Sequence, residues 1–493
     1  MRDHGEVVES ILRRTEEYEK KAAKKQAWRK AVLPGVMVAV AACVLGIVVW
    51  KVAGNNKVGK TPSNTGVTVT VTPKQGEDQP TPTDKPIDKP TDKPIDKPTE
   101  KPVESGNSKE LTAASSSSTA PAMKEMDEKM REAYETFAYK VFANIPKGKT
   151  RMISPFSIYV ALGMLANGAD GNTLAQMDAL LGLTNEERNE YLAGWVARLT
   201  GGSDDVTKFT NANSVWIRNT WEADVPKTFL DTCAKYYRTA VFSAPFDSTT
   251  VADMNVWVQK NTMDMIKKII DEIPEGAIMY LMNAIALDAK WDIEFSEQAT
   301  EKDYTFTKAD GTTEKVDMMF GGFSDDYLEN EFATGFVKKY KGGEFSYVAL
   351  LPKEGVSLDK LVDSLKPGVV RNLLRSAEYG DIVVGIPKYE EEYSLGLVDV
   401  LHQLGMKDAF SPDTANLSRL MQSPGTYVSK IMHKTFITVD EKGTKAAAVT
   451  SVEATNEAVS RPHYVTLDHP FVYIIVDSDG LPIFLGTYEG KGK

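Results

Sequence analysis

The residues best able to do chemistry are few and badly placed for it. Histidine occurs at 4, 402, 433, 463 and 469 only, and cysteine at 43 and 233 only. No two of them have the short spacing that a metal site requires, so no metal is expected. Ser, His and Asp all occur, but the chain has no G-x-S-x-G elbow, no H-E-x-x-H and no phosphate-cradling G-x-x-x-x-G-K-[ST]. A nucleophile without a positioned base is inert, so no catalytic residue is assigned and the protein is read as no enzyme, with no cofactor. Two cysteines, one of them inside an apolar run, also leave no disulfide framework.

The segment with an unusual composition runs from Thr435 to Phe471. A strand-like run, TFITVD, leads into Glu441-Lys442-Gly443-Thr444 and then Lys445-Ala446-Ala447-Ala448-Val449-Thr450-Ser451-Val452-Glu453-Ala454. Alternate positions place Thr444, Ala446, Ala448, Thr450, Val452 and Ala454 on one face, all small or β-branched, with Lys445 and Glu453 on the other. This is the pattern of a strand, yet Gly443 and the alanines lack the bulk that steadies an isolated edge strand. Two readings stand: a strand already in a sheet, or a loop built to fit a narrow place within one.

The elements that must position such a segment begin late in the chain. Residues 31–50, AVLPGVMVAVAACVLGIVVW, carry no charge, and twenty residues at helical rise span about 30 Å, so they read as a transmembrane helix. Lys20, Lys21, Lys24, Lys25, Arg29 and Lys30 precede it with no acid between them, which makes 1–30 a cytoplasmic basic segment and leaves the rest outside. A cleaved signal peptide, or lipidation at Cys43, is the alternative. Residues 51–120 lose apolar periodicity and include five [TI]-[DE]-K-P units between Thr83 and Pro102, the composition of a disordered stalk or an inert linker. The expected placement is therefore a single-pass membrane protein with its 121–493 domain extracytoplasmic.

That domain has ordinary globular usage, and the chain's formal charge of −11 argues against a nucleic-acid face. Residues 123–145 put Met123, Met126, Met130, Ala133, Tyr134, Phe137, Val141 and Ile145 on one helical stripe. A second helical pattern covers 252–270, while 345–352, 382–387, 435–440 and 470–477 read as strands. Helices come first and strands dominate later, so the fold class is α+β.

At this level of detail residues 123–490 resemble the serpin family. The resemblance rests on Ile153-Ser154-Pro155-Phe156-Ser157-Ile158 with Ala161-Leu162-Gly163-Met164-Leu165, on Met254-Asn255-Val256-Trp257-Val258, on Leu281-Met282-Asn283-Ala284 running to Lys290-Trp291, on Val384-Gly385-Ile386-Pro387-Lys388-Tyr389, and on Leu404-Gly405-Met406, His469-Pro470-Phe471 and Phe484-Leu485-Gly486. It implies a large central, mostly antiparallel sheet, further sheets, a helical cluster and an exposed reactive-centre loop. The activity it implies is irreversible, suicide-substrate inhibition of extracellular serine proteases, in which the cleaved loop enters the central sheet as a strand and the protease stays attached as an acyl complex. Glu441, Gly443, Thr444, Ala446, Ala447 and Ala448 then correspond to the hinge, and Ser154, Ser157, Asn283 and His433, with Trp291, to the region where the sheet opens. Two ways of counting put the scissile bond after Glu457 or near Val459, within Asn456-Glu457-Ala458-Val459-Ser460, suited to a glutamyl-specific protease or to a subtilisin- or elastase-like one. The resemblance further implies a monomer, and heparin-type activation is not expected because no helix is densely basic. A non-inhibitory surface binding module on the same fold is the alternative, and the small uncharged hinge face speaks against it.

Overall fold

The computed structural model describes residues 106–112, 124–147, 150–201, 207–444 and 462–491. The elements are numbered in chain order. Helix α1 (Glu128–Asn144) starts where Asp127 caps it by accepting the amide of Met130 at 3.0 Å, five residues later than the apolar stripe begins. Met130, Tyr134, Phe137 and Val141 are its buried face. Helix α2 (Pro155–Gly168) has Ser154 as its N-cap and Pro155 in its first turn, and it is apolar nearly all round because almost every residue of it is buried.

Helices α3 (Gly171–Leu181), α4 (Asn185–Gly201) and α5 (Lys227–Thr232) follow, and the second helical pattern ends early. Helix α6 (Ser248–Asn261) stops nine residues short of the expected Ile270. Met263 and Asp264 take positive φ, and the Asn255 side chain captures the amides of Ile269 and Ile270, folding 262–270 back along the helix. The stripe at Met254 and Val258 packs on Ala212, Trp216, Tyr280, Met282 and Ala284, so α6 lies across the face of the central sheet.

That sheet has seven strands in the order β1–β4–β3–β5–β12–β11, with β13 off this path against β5. Its members are β1 (Lys109–Glu110), β3 (Thr207–Arg218), β4 (Ala240–Ala244), β5 (Met279–Lys290), β11 (Tyr389–Gly396), β12 (Lys430–Val439) and β13 (Gly443–Thr444). Most contacts are antiparallel, but β5 and β12 are parallel neighbours. A second, nine-stranded sheet runs β14–β10–β7–β8–β9–β15–β16–β2, with β6 on β7. It comprises β2 (Arg151–Ile153), β6 (Thr300–Thr307), β7 (Thr313–Glu329), β8 (Ala333–Lys339), β9 (Phe345–Pro352), β10 (Glu378–Pro387), β14 (His463–Thr466), β15 (Phe471–Asp477) and β16 (Pro482–Tyr488). Strands β15 and β16 are buried at every position, which is why their sequences read as unbroken apolar runs.

Residues 106–112 fall in the stretch expected as a stalk, and they pair along β4 while Asp253 of α6 accepts the amides of Gly106 and Ser108. The remainder of 51–120 lies outside the described residues. The expected placement as a single-pass membrane protein is corrected: among the described residues no helix is long and apolar enough to cross a membrane, and residues 31–50 lie outside them.

Candidate functional site: the parted end of the central sheet

Strand register alone gathers one polar row. Asn213 of β3 stands opposite Asn283 of β5, which stands opposite His433 of β12, so the three side chains cross three adjacent strands on one face. The start of helix α2 meets that row. The backbone amide of Ser154 donates to His433 Nε2 at 2.9 Å, and His433 Nδ1 faces Asn283 Oδ1. Asn283 Nδ2 donates to the Ser157 carbonyl at 2.8 Å and also meets Ser157 Oγ and Asn213 Oδ1. The Ser157 hydroxyl donates to Asn211 Oδ1 at 2.7 Å, and that of Ser154 to the Ile483 carbonyl at 2.7 Å. Ser154, Ser157, Asn283 and His433 are all fully buried. Burial lowers the pKa of His433 to about 3, so the ring is neutral. A neutral imidazole with both nitrogens occupied and no path to solvent has no proton to exchange with a substrate. Its capacity is to bind three secondary-structure elements into one network.

Beyond this cluster the two central strands part. The ladder of β5 and β12 runs from Tyr280 opposite Lys430 to Ala286 opposite Phe436 and goes no further, although β5 continues to Lys290 and β12 to Val439. On its other side β5 stays paired with β3 up to Ala289. At the parted end Gly443 pairs with Lys290 and Thr444 with Ala289, antiparallel to β5. The chain reaches that position by a tight turn, in which Asp440 Oδ1 accepts the amides of Lys442 and Gly443 at 2.8 and 3.2 Å. Gly443 has φ +135°, and a Cβ there would lie 2.3 Å from the Ala289 carbonyl oxygen and 2.6 Å from Lys290 Cα. Only glycine fits so close to the strand.

Trp291 holds the turn from below. Its indole N–H donates to the Asp440 carbonyl at 2.9 Å, its backbone amide to the Lys442 carbonyl at 3.0 Å, and its ring stacks on Tyr340 with centroids 4.5 Å apart. Glu441 is fixed by Lys388 Nζ at 2.7 Å and Thr300 Oγ1 at 2.8 Å. Burial works against its charge, but those two hydrogen bonds prevail and hold the carboxyl below its ordinary range.

Ser154, Ser157, Asn283 and His433 thus form one connected cluster, whereas Trp291 sits at the other end of β5 beside Glu441, Gly443 and Thr444, the described residues of the expected hinge. Ala446, Ala447 and Ala448, and Asn456 to Ser460, lie outside the described residues. Sequence reasoning missed Asn211, Asn213, Lys388 and Thr300. The alternation Asn211-Ala212-Asn213 just before the apolar Val215-Trp216-Ile217 was a usable signal for the first two; nothing in the sequence links Lys388 or Thr300 to Glu441. Among the described residues no group of three or more His, Cys, Asp or Glu could hold a metal ion, and burial raises the Cys233 thiol well above its ordinary range.

The chain is thus an α+β protein with two large sheets, a polar cluster on its middle strands and Gly443 and Thr444 paired into the parted end of the central sheet. The profile of the Serpin (serine protease inhibitor) family matches residues 132–489, and the chain belongs to that family. It is 31% identical over 355 residues to human neuroserpin, covering 68% of this chain and 84% of that one. It is 28% identical over 376 residues to an uncharacterized serpin-like protein of Thermococcus kodakarensis, covering 74% and 86%. Among solved structures, the native state of the thermophilic serpin Tengpin superposes with a TM-score of 0.73 at 37% identity, over 78% of this chain and 100% of that one.

Proposed function

We propose that the chain is a suicide-substrate inhibitor of serine proteases, and that its target is subtilisin-like, elastase-like or glutamyl-specific. The observation that carries the reading is the pairing of Gly443 and Thr444 with β5 at the end where β5 and β12 have parted. Two parallel neighbours leave room between them for one antiparallel strand, and the hinge already occupies the first rung of it. In the reaction the protease serine attacks a carbonyl within Asn456–Ser460, the peptide bond breaks, and the following residue leaves as a free amine. The acyl-linked segment then continues the β13 ladder between β5 and β12 before water reaches the ester. Small residues at Thr444, Ala446 and Ala448 offer no bulk or charge to that passage.

The test is to incubate the full chain with subtilisin, elastase, trypsin and a glutamyl endopeptidase, then examine the products on a denaturing gel and by mass spectrometry. The expected result is a denaturant-resistant complex with a single cut between Asn456 and Ser460. Clean cleavage with no complex from any of them, and no rise in the melting temperature of the cleaved form, would overturn the reading.

A further inference from the structure

Three large apolar side chains stand exposed among the described residues: Val256, Tyr379 and Tyr464. Val256 is alone on α6, and single exposed apolar residues are ordinary. The two tyrosines are different, because register puts them on one face. Tyr464 of β14 stands opposite Val383 of β10, and alternation along β10 brings Asp381 and Tyr379 to the same side. On the next strand Ser324 and Asp326 stand opposite Asp381 and Tyr379. Tyr379 is 67% exposed and Tyr464 50%. Four residues of β10 and one strand spacing separate them by about 14 Å. Asp381 accepts the Ser324 hydroxyl at 3.0 Å, and Asp326 lies 3.2 Å from Lys339.

The ledge is held from behind. His463, beside Tyr464, stacks on Tyr327 with centroids 3.8 Å apart and lies 3.4 Å from Glu378. A short edge strand is thereby pinned, and its neighbouring tyrosine is presented on a fixed support.

We propose that Tyr379 and Tyr464, with Asp381 and Asp326 between and beside them, form a docking ledge for the target protease, one whose surface beside the cleft carries Arg or Lys. The proposal rests on the inhibitory reading for the identity of the partner. Ser460 is four residues from Tyr464, so even at full extension it lies within about 14 Å of that residue, and Glu457, seven residues away, within about 25 Å. A protease that holds residues 456–460 in its cleft is therefore tethered within reach of this face. Exposed tyrosines supply contact area at small entropic cost, and they accept guanidinium or ammonium groups on their ring faces. Asp381, met by a neutral hydroxyl, favours the same basic partner and speeds its approach, whereas Asp326 already faces Lys339.

The test measures the second-order rate of loop cleavage in the full chain by subtilisin, elastase and a glutamyl endopeptidase, for wild type, Tyr379→Ala, Tyr464→Ser and Asp381→Asn. Both tyrosines are exposed, so unchanged melting temperatures are expected and serve as the folding control. At least one protease should lose about five- to tenfold in rate on each tyrosine variant, with the ratio of complex to cleaved product unchanged. Asp381→Asn should lower the rate and flatten its salt dependence. A loss of cleavage rate supports the ledge whether or not a complex forms, so failure of trapping and failure of docking are read separately. Rates within twofold of wild type for every protease that cuts the loop, or a loop that none of the three cuts, would overturn the proposal.

Discussion

The imidazole of His433 accepts the backbone amide of Ser154 through Nε2 at 2.9 Å, so the ring's one proton must sit on Nδ1, facing Asn283 Oδ1. This joins the start of α2 to β12 and β12 to β5 with a single side chain. Separating β5 from β12 as far as this rung would break the His433–Asn283 contact, because the two residues stand opposite one another in the ladder, three rungs in from its parted end. A protonated ring would point a second N–H at the Ser154 amide, donor against donor.

Acid should therefore loosen the cluster. A histidine in the unfolded chain titrates near about 6.5, whereas burial lowers that of His433 to about 3. Between those values the unfolded chain binds the extra proton, so the stability from this group is complete above pH 6.5 and is lost as pH falls toward 3. The slope is at most about 1.4 kcal/mol per pH unit. Melting temperatures of wild type and His433→Gln from pH 8 to 4 should start apart, by about 1–3 kcal/mol of stability for the partners left unpaired, and converge on acidification. Parallel curves would remove His433 as the titrating group.

Gly443→Ala tests the first rung of the hinge. The added carbon would need to sit 2.3 Å from the Ala289 carbonyl oxygen, and φ +135° is costly for alanine. Backbone of a central strand cannot yield, so the hinge must move away from β5, at a cost of about 1–3 kcal/mol. Hydrogen exchange should quicken at the Trp291 amide, which donates to the Lys442 carbonyl. Unaltered exchange there, together with an unaltered melt, would show that the turn accommodates a side chain.

What could be read from the sequence follows from the range of the forces concerned. The strands 345–352 and 471–477 were legible because burial on both faces writes itself as a continuous apolar run. The helix predicted for 252–270 was half right: Met254, Val258 and Thr262 keep helical spacing, but the Asn255 side chain claims two amides that a longer helix would have used within itself. His433 and Ser154 were legible through family resemblance alone, since they are 279 residues apart and no local rule joins them. The pairing of Lys388 with Glu441 was not legible at all, because it depends on how β10 leads into β11 and how β12 ends.

Thr444→Arg tests the proposed direction of insertion. The alternation through Thr444, Ala446 and Ala448 assigns these positions to the face that enters the sheet, and Thr444 stands opposite Ala289. Burying an unpaired guanidinium there would cost several kcal/mol, about enough to let hydrolysis of the acyl-enzyme outrun insertion. Loop cleavage should continue at the wild-type rate while covalent complex falls at least tenfold on a denaturing gel. Complex formation at the wild-type rate would mean that the inward face is the other one.

The last expectation concerns a charge that the fold holds at a disadvantage. Lys338 on β8 is 2% exposed, with Nζ 3.4 Å from the centroid of Phe323 and 5.4 Å from that of Phe295. Asp325 and Asp292 favour its charge, but Asp325 is shared with Lys339 at 3.5 Å, and Lys339 also takes Asp326. Contact with an aromatic face contributes about 2 kcal/mol when desolvated. Burial nevertheless prevails over the carboxylates and lowers the amine's pKa to about 7. An unfolded lysine keeps its proton up to about 10.4. Stability should therefore rise with pH between 7 and 10, as the unfolded chain alone retains the proton, and below pH 7 the folded protein carries the whole penalty. Lys338→Met removes the charge and keeps the length of the side chain, so it should stabilise the protein by about 1–3 kcal/mol at pH 6–7. The advantage should shrink as pH approaches 10, because the wild-type amine is by then neutral in the fold. Melting temperatures of the two proteins across that range decide the matter: a constant gap would assign the gain to packing around Phe323, and a closing one assigns it to the buried charge.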